Sequence, residues 1–315
     1  MRGLSNSTKE LIQYVFRLLE QDHPQTLRQA HYAIFCRKEI SYQNTQADYK
    51  RLSRATTIAR HAYRAWQLET GGTGKVPPAY SIPTEFMLDE TREPEMVSVW
   101  QDATEYIETV KRGYRRDNWQ GQPNYCEIWS EKATILGAIR PVADQWGVTL
   151  RVCHGFGSTG MAGQVGMLFE DIPQEIAVFF LGDHDPSGHV IEEDIHRRAE
   201  TASGKSFRML RLAIHKEDIA AFNLPPQTIK MTDSRAASFR RQFGANAATV
   251  ELDALPAAEL RRRVNSAVES LVDQALWQRQ VGVQQVELNC IAEFAERMKS
   301  LPQLALPKPL PERSL

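Results

Sequence analysis

Asp183 and Asp185 stand one residue apart in the stretch Val178 to Gly188, which reads Val-Phe-Phe-Leu-Gly-Asp-His-Asp-Pro-Ser-Gly. Two carboxylates this close, just past an apolar run, form a dense oxygen cluster suited to a hard cation such as Mg²⁺, with Mn²⁺ as a substitute. The same residues also suit a turn and the cap of a following helix. A second junction reads Glu127-Ile128-Trp129-Ser130-Glu131-Lys132 and puts Glu131 at the end of another strand. Glu131, Asp183 and Asp185 together would place three carboxylates around one divalent ion. Such an ion neutralises phosphate oxygens and stabilises charge on a leaving oxygen. Glu127 lies within its strand and reads as structural or as part of the domain surface.

These residues need a sheet to bring them together. Apolar Val178 to Leu181 has the pattern of a buried parallel strand, and open α/β sheets bind ligands beyond the carboxyl ends of their strands. From Asn124 onward, strands and helices alternate. Strands are expected at Tyr125 to Ser130, Thr149 to Cys153, Ile176 to Leu181 and Met209 to Ile214. Helices are expected at Lys132 to Trp146, Val190 to Glu200 and Lys216 to Phe222, with a weakly helical segment ending at Glu170. Repeated β-α units of this size imply a parallel sheet covered on both faces. The turn with Gly155, Gly157 and Gly160 lacks a P-loop lysine and matches no nucleotide fingerprint. Further on, Asp233 is a candidate helix cap, and helices are expected over Pro256 to Gln278 and Gln285 to Lys299. The proline-rich tail beyond Leu301 is expected to be extended or disordered.

The N-terminal part is helical. Amphipathic spacing predicts helices from Leu4 to Glu20, Gln25 to Phe35 and Gln46 to Leu68. Three helices in this order suggest a helix-turn-helix or winged-helix module. Pro24 to Leu68 holds eight basic residues against Glu39 and Asp48, a local net of +6. That is the electrostatic footprint of DNA contact, with Lys50, Arg51, Arg54 and Arg60 on the third helix as candidates and Lys132 as a further phosphate contact. Gly71 to Pro83 reads as a loop or wing, Ser81 to Leu88 as a short returning strand, and Pro94 to Trp119 as a linking helix. The expected division is therefore 1–95, a winged-helix domain; 96–123, a helical linker; 124–222, an α/β domain; 223–300, a helical extension; and 301–315, a tail.

Global composition is less informative. The 38 basic and 39 acidic residues nearly cancel, so only the local charge speaks for nucleic acid. Cys36, Cys126, Cys153 and Cys290 form no Cys-x-x-Cys pair, which argues against structural zinc and fits reduced thiols. No apolar run is long enough to span a bilayer. A cytoplasmic, nucleoid-associated protein with no membrane partner is the expectation.

Glu131-Lys132 at the first strand end and Asp-x-Asp-Pro-x-Gly at the third resemble the Toprim domain of the topoisomerase VI A subunit and of its relative, the meiotic double-strand-break transesterase. The likeness runs from about Pro24 to Phe222 and suggests a compact homologue of the kind carried by mobile elements. The family places a winged-helix domain first, with its nucleophilic tyrosine in an Arg-x-x-Tyr-Tyr-like segment. Arg28-Gln-Ala-His31-Tyr32 stands in that position, with His31 replacing the first tyrosine. The resemblance implies that Tyr32 attacks a DNA phosphodiester while Glu131, Asp183 and Asp185 hold Mg²⁺, giving a resealable 5′-phosphotyrosyl link. It also implies a homodimer in which the tyrosine of one copy works with the metal site of the other. An ATPase B-type subunit in trans would be needed for strand passage. A phenol is mostly protonated at neutral pH, so Tyr32 needs assistance, and Arg28, one helical turn earlier, is placed to give it. Two other readings use the same residues: a metal-dependent nuclease that employs water, and a non-catalytic DNA-binding protein.

Overall fold

The computed structural model describes residues 4–72, 77–88, 97–153, 159–229 and 234–300. Gly155 and Gly157 of the glycine-rich turn, the cap assigned to Asp233 and the 301–315 tail fall outside the described residues. The chain forms two units, one of residues 1–93 with 123–272, the other of 94–122 with 273–315.

The larger unit starts with helices α1 (Asn6–Gln21), α2 (Leu27–Arg37) and α3 (Gln46–Thr70). Local chemistry sets their starts. Ser5 accepts from the Thr8 backbone N–H, Thr26 and Gln29 form a reciprocal capping box, and Thr45 accepts from the Asp48 N–H. Gly71, with φ of 66°, closes α3 in the left-handed region. Leu11, Val15, Leu19, Ile34, Leu52 and Ile82 pack into one core between these helices. Two short strands accompany them, β1 (Gln25–Thr26) and β2 (Met87–Leu88), paired in parallel as Gln25↔Met87 and Thr26↔Leu88. The strand expected over Ser81 to Leu88 is thus confined to its last two residues, because Thr84–Phe86 turns as a 3₁₀ helix.

The same unit carries a four-stranded parallel sheet of β3 (Asn124–Ser130), β4 (Thr149–Val152), β5 (Glu175–Leu181) and β6 (Arg208–Ala213), in the order β4-β3-β5-β6. All four strands fall where the apolar runs predict them, within one or two residues. The central pair, β3 and β5, is almost wholly buried, which explains the continuous apolar run of β5 from Ile176 to Leu181. Helices α5 (Leu136–Trp146), α6 (Thr159–Asp171), α7 (Pro186–Ser203) and α8 (Lys216–Ala221) follow the strands in turn. Trp129, Val165, Phe169, Val178, Phe180, Ile195 and Phe207 form a second core. The unit ends with α9 (Ala236–Phe243) and α10 (Ala257–Glu269). The α/β class expected from the sequence is present.

The smaller unit contains α4 (Ala103–Gly113) and α11 (Gln274–Ser300), which pack on each other. Two expectations need correcting here. The 94–122 segment is no simple linker, since it folds with the C-terminal helix, and its helix is shorter than expected because Asp102 caps it at one end and Tyr114 turns extended at the other. The helical extension of 223–300 is also divided between the units. Its break lies at 270–273 rather than near Gly282, because Asp273 accepts from the N–H groups of Ala275 and Leu276 and so starts a new helix. Among the described residues no helix is long and apolar enough to cross a membrane.

Candidate functional site

The register of the sheet assembles the site. Because β3 pairs with β5 as Ser130↔Leu181, the next residues, Glu131 and Gly182, leave the same edge side by side. The Glu131 N–H donates to the Leu181 carbonyl at 2.9 Å. Glu131 Oε2 in turn accepts from the Asp183 N–H at 3.0 Å. Asp185 is the N-cap of α7, its Oδ1 accepting from the Gly188 N–H at 2.6 Å, with Pro186 at the first helical position. The three carboxylates predicted from spacing therefore share one edge, and the turn-and-cap reading of Asp185 also holds.

The two glycines of this loop are required by crowding. A Cβ at Gly188 would lie 2.5 Å from the Asp183 carbonyl oxygen and 3.0 Å from Glu131 Oε2, and one at Gly182 would lie 2.5 Å from Phe180 Cε1. Gly188→Ala is expected to push the aspartate loop off the end of β5 and to cost about 1–3 kcal/mol. A urea denaturation series checks this; an unchanged midpoint would show that the loop absorbs the methyl group. Behind the loop, buried Arg211 binds the carbonyls of Gly182 and Asp183 at 3.1 Å each and that of Gly188 at 3.3 Å, while Glu192 holds its Nε at 2.7 Å. No spacing in the sequence signals this clamp.

A second acidic pair arrives from far downstream. Val250 and His184 exchange backbone hydrogen bonds as an antiparallel bridge, and the Leu252 N–H donates to Asp183 Oδ1 at 2.7 Å. This lays Glu251 and Asp253 beside the aspartate loop. Lys132 Nζ sits among them, 2.9 Å from Asp183 Oδ1, 3.1 Å from Asp253 Oδ2 and 3.3 Å from Glu251 Oε2. No spacing in the sequence brings the 251–253 segment to this edge, and Lys132 is there expected as a DNA phosphate contact. In the fold, Lys132 is held by three carboxylates.

The site's electrostatics follow from burial. Burial, with Asp183 and Asp185 nearby, pushes Glu131 up to about 7. Burial also raises Asp183, although Lys132 opposes it. For Lys132, burial alone would lower the ammonium, but Asp183, Asp253 and Glu251 outweigh it and hold it above its usual range. His184 and His189 touch at 3.1 Å against Phe239 and Phe243, and burial holds them down at about 4 and about 3. Both are neutral and support the loop from behind.

Arg28 and Tyr32 come to this site from α2. Arg28 pairs with Glu251 through Nε at 2.8 Å and through Nη2, and its Nε lies 4.0 Å from Asp253. Its guanidinium stands 5.7 Å from the centre of the Tyr32 ring. Arg28, Lys132, Asp183, Asp185, Glu251 and Asp253 line a cleft of about 720 Å³. Tyr32 is buried and opens instead into a neighbouring cavity of about 130 Å³, shared with Arg28, His31, Asn44 and Tyr49. Burial and Glu251 push the Tyr32 phenol up to about 12, against the opposing pull of Arg28 and Lys132. His31 donates or accepts at Tyr42 and Asn44, away from the carboxylates. On α3, Lys50 and Arg54 are exposed, Arg60 is half-buried, and Arg51 is tied to Ser7 and Asp48.

Among the described residues no three His, Cys, Asp or Glu side chains form a ready-made metal-holding group. One oxygen of Glu131 and one of Asp185 are committed to backbone N–H groups, and the Lys132 ammonium meets Asp183 where a cation would bind. Carboxylate oxygens are nonetheless the donor type that a hard divalent ion takes. Five carboxylates face two cations here, and the burial that raises Glu131 and Asp183 is a cost that a bound cation would relieve. Neither a scan against protein-family models nor a comparison with curated proteins gives a match to this chain.

Proposed function

We propose that this chain is a DNA-cleaving transesterase, with the N-terminal helices acting as a winged-helix-like DNA-binding module and the parallel sheet as a Toprim-type domain. The observation that carries the reading is the arrival of α2 at the carboxylate edge. Arg28 is 223 residues from its partner Glu251 in sequence, yet the pair lines the same cleft as Asp183 and Asp185. A cationic arm at the acidic edge, with a tyrosine one helical turn along the same helix in the adjoining cavity, supplies the parts that phosphodiester transesterification requires.

In this reading Glu131, Asp183 and Asp185 would hold Mg²⁺ or Mn²⁺, which would neutralise phosphate charge and stabilise the leaving oxygen when bound. Arg28 holds the phosphate through its fork of donors. Tyr32 supplies the attacking oxygen: a bond forms from Oη to phosphorus, the bond from phosphorus to the 3′ oxygen breaks, and the phenolic proton is lost to solvent as the departing 3′ oxygen takes one up to become a hydroxyl. The exposed Lys50 and Arg54 hold flanking backbone. The test is incubation with supercoiled plasmid and Mg²⁺ or Mn²⁺, followed by a detergent trap. Protein attached to DNA supports the reading; cleavage with free ends favours the water-using nuclease.

Arg28, one helical turn from Tyr32 on α2, pairs with Glu251 of the same chain, and Lys132 joins that Glu251 to Asp183. In this reading the tyrosine and the carboxylates act within one chain, in contrast to the trans pairing that the resemblance implies, and a homodimer would serve to cut both strands. Mixing Tyr32→Phe with Asp183→Ala is expected to restore no adduct. Recovery of roughly a quarter of wild-type adduct or more, as shared sites in mixed dimers would allow, would restore the trans arrangement.

A further inference from the structure

We infer that Glu251 occupies a phosphate seat, its carboxylate standing where a backbone phosphate of DNA binds between Arg28 and Lys132. A single oxygen, Oε2, takes Arg28 Nε at 2.8 Å, Arg28 Nη2 and Lys132 Nζ at 3.3 Å. The planar guanidinium fork and a point ammonium converging on one anionic oxygen are the donor set that phosphate groups select. The seat opens into the cleft of about 720 Å³ that holds Asp183 and Asp185, so a phosphate bound there lies beside the acidic edge.

The occupant is held asymmetrically. Without Glu251, Lys132 keeps Asp183 at 2.9 Å and Asp253 at 3.1 Å, whereas Arg28, beside the Tyr32 ring, has Asp253 at 4.0 Å as its nearest remaining carboxylate among the described residues. Arg28 is also the more exposed of the two cations. It is therefore the group that a phosphate captures when it displaces Glu251, and Glu251 acts as a competitor built into the chain. The ligand class is the nucleic-acid phosphodiester, an identity that rests on the DNA-cleavage reading; the seat itself rests only on the geometry.

The experiment measures binding of a short fluorescein-labelled DNA duplex by anisotropy, with EDTA present so that neither metal nor cleavage enters. Glu251→Gln is expected to bind about fivefold more tightly than wild type, and the slope of log K against log salt should steepen by about 1, the mark of one more phosphate contact. In an Arg28→Ala background the same substitution should give no gain. Unchanged or weaker binding by a folded Glu251→Gln would overturn the proposal, as would a gain that survives without Arg28. If Glu251→Gln does not fold, Glu251→Asp, one methylene shorter, must change affinity in the same direction. A wild-type chain that shows this competition but forms no covalent adduct would overturn the transesterase reading and leave the seat standing.

Discussion

Tyr32→Phe is expected to abolish the covalent protein–DNA adduct, lowering its yield by at least about a thousandfold, while leaving DNA binding and folding unchanged. Phenylalanine keeps the buried ring and its stacking against Arg28, so the loss is confined to one oxygen. That oxygen is a demanding nucleophile. Burial pushes its proton affinity up to about 12, so at neutral pH almost every Tyr32 is a phenol. Attack then requires proton removal together with a cation to hold the developing charge, and Arg28 and Lys132 are the cations that already act on it. Asp183→Ala is expected to remove adduct and cleavage alike, because it takes away the carboxylate central to the acidic edge. Gel shift and detergent-trapped plasmid cleavage on the two variants check both statements. Undiminished cutting by Tyr32→Phe would sink the transesterase reading in favour of hydrolysis by water. Undiminished DNA binding by both variants with no cleavage by wild type would leave a DNA-binding protein.

The largest expected effect on stability lies under the sheet rather than at its edge. Glu127 is completely buried in β3, where Oε1 accepts from the Tyr125 hydroxyl at 2.8 Å and from Arg151 Nη2 at 2.9 Å, and Oε2 accepts from Trp129 Nε1 at 2.8 Å and from Arg151 Nε. Glu127→Ala leaves a guanidinium, an indole N–H and a phenol without their acceptor. Breaking such a buried pair from one side costs about 3–5 kcal/mol, and the partial exposure of Arg151 places this case toward the lower end. That is a large share of the 5–15 kcal/mol typical of a folded domain, so the variant should melt many degrees lower. Urea denaturation of wild type, Glu127→Ala and Glu127→Gln checks it. A loss under about 1 kcal/mol for the alanine variant would mean that water replaces the carboxylate. Of the two expectations for Glu127, structural support and domain surface, the first is the one its burial agrees with.

The parts of this protein legible in the sequence are those governed by neighbours along the chain. The apolar run of β5, the alternation of strands and helices around it and the period of α1 to α3 each act within a few residues, and β5 and these three helices stand within about two residues of where the signals place them. The acidic edge was legible for the same reason, since parallel strands that enter a sheet together deliver their next residues to one rim. Pairings between distant segments carry no period and no spacing, and only the tertiary structure decided them. It brought Glu251 and Asp253 to Asp183, made Lys132, expected as a DNA contact, a half-buried counter-ion, and set Arg28 against Glu251. It also joined the 94–122 segment to the last helix, because Asp273 caps a new helix where periodicity alone runs on. Charge is long-ranged and indifferent to sequence order, so which carboxylate meets which cation is settled by the fold that carries them.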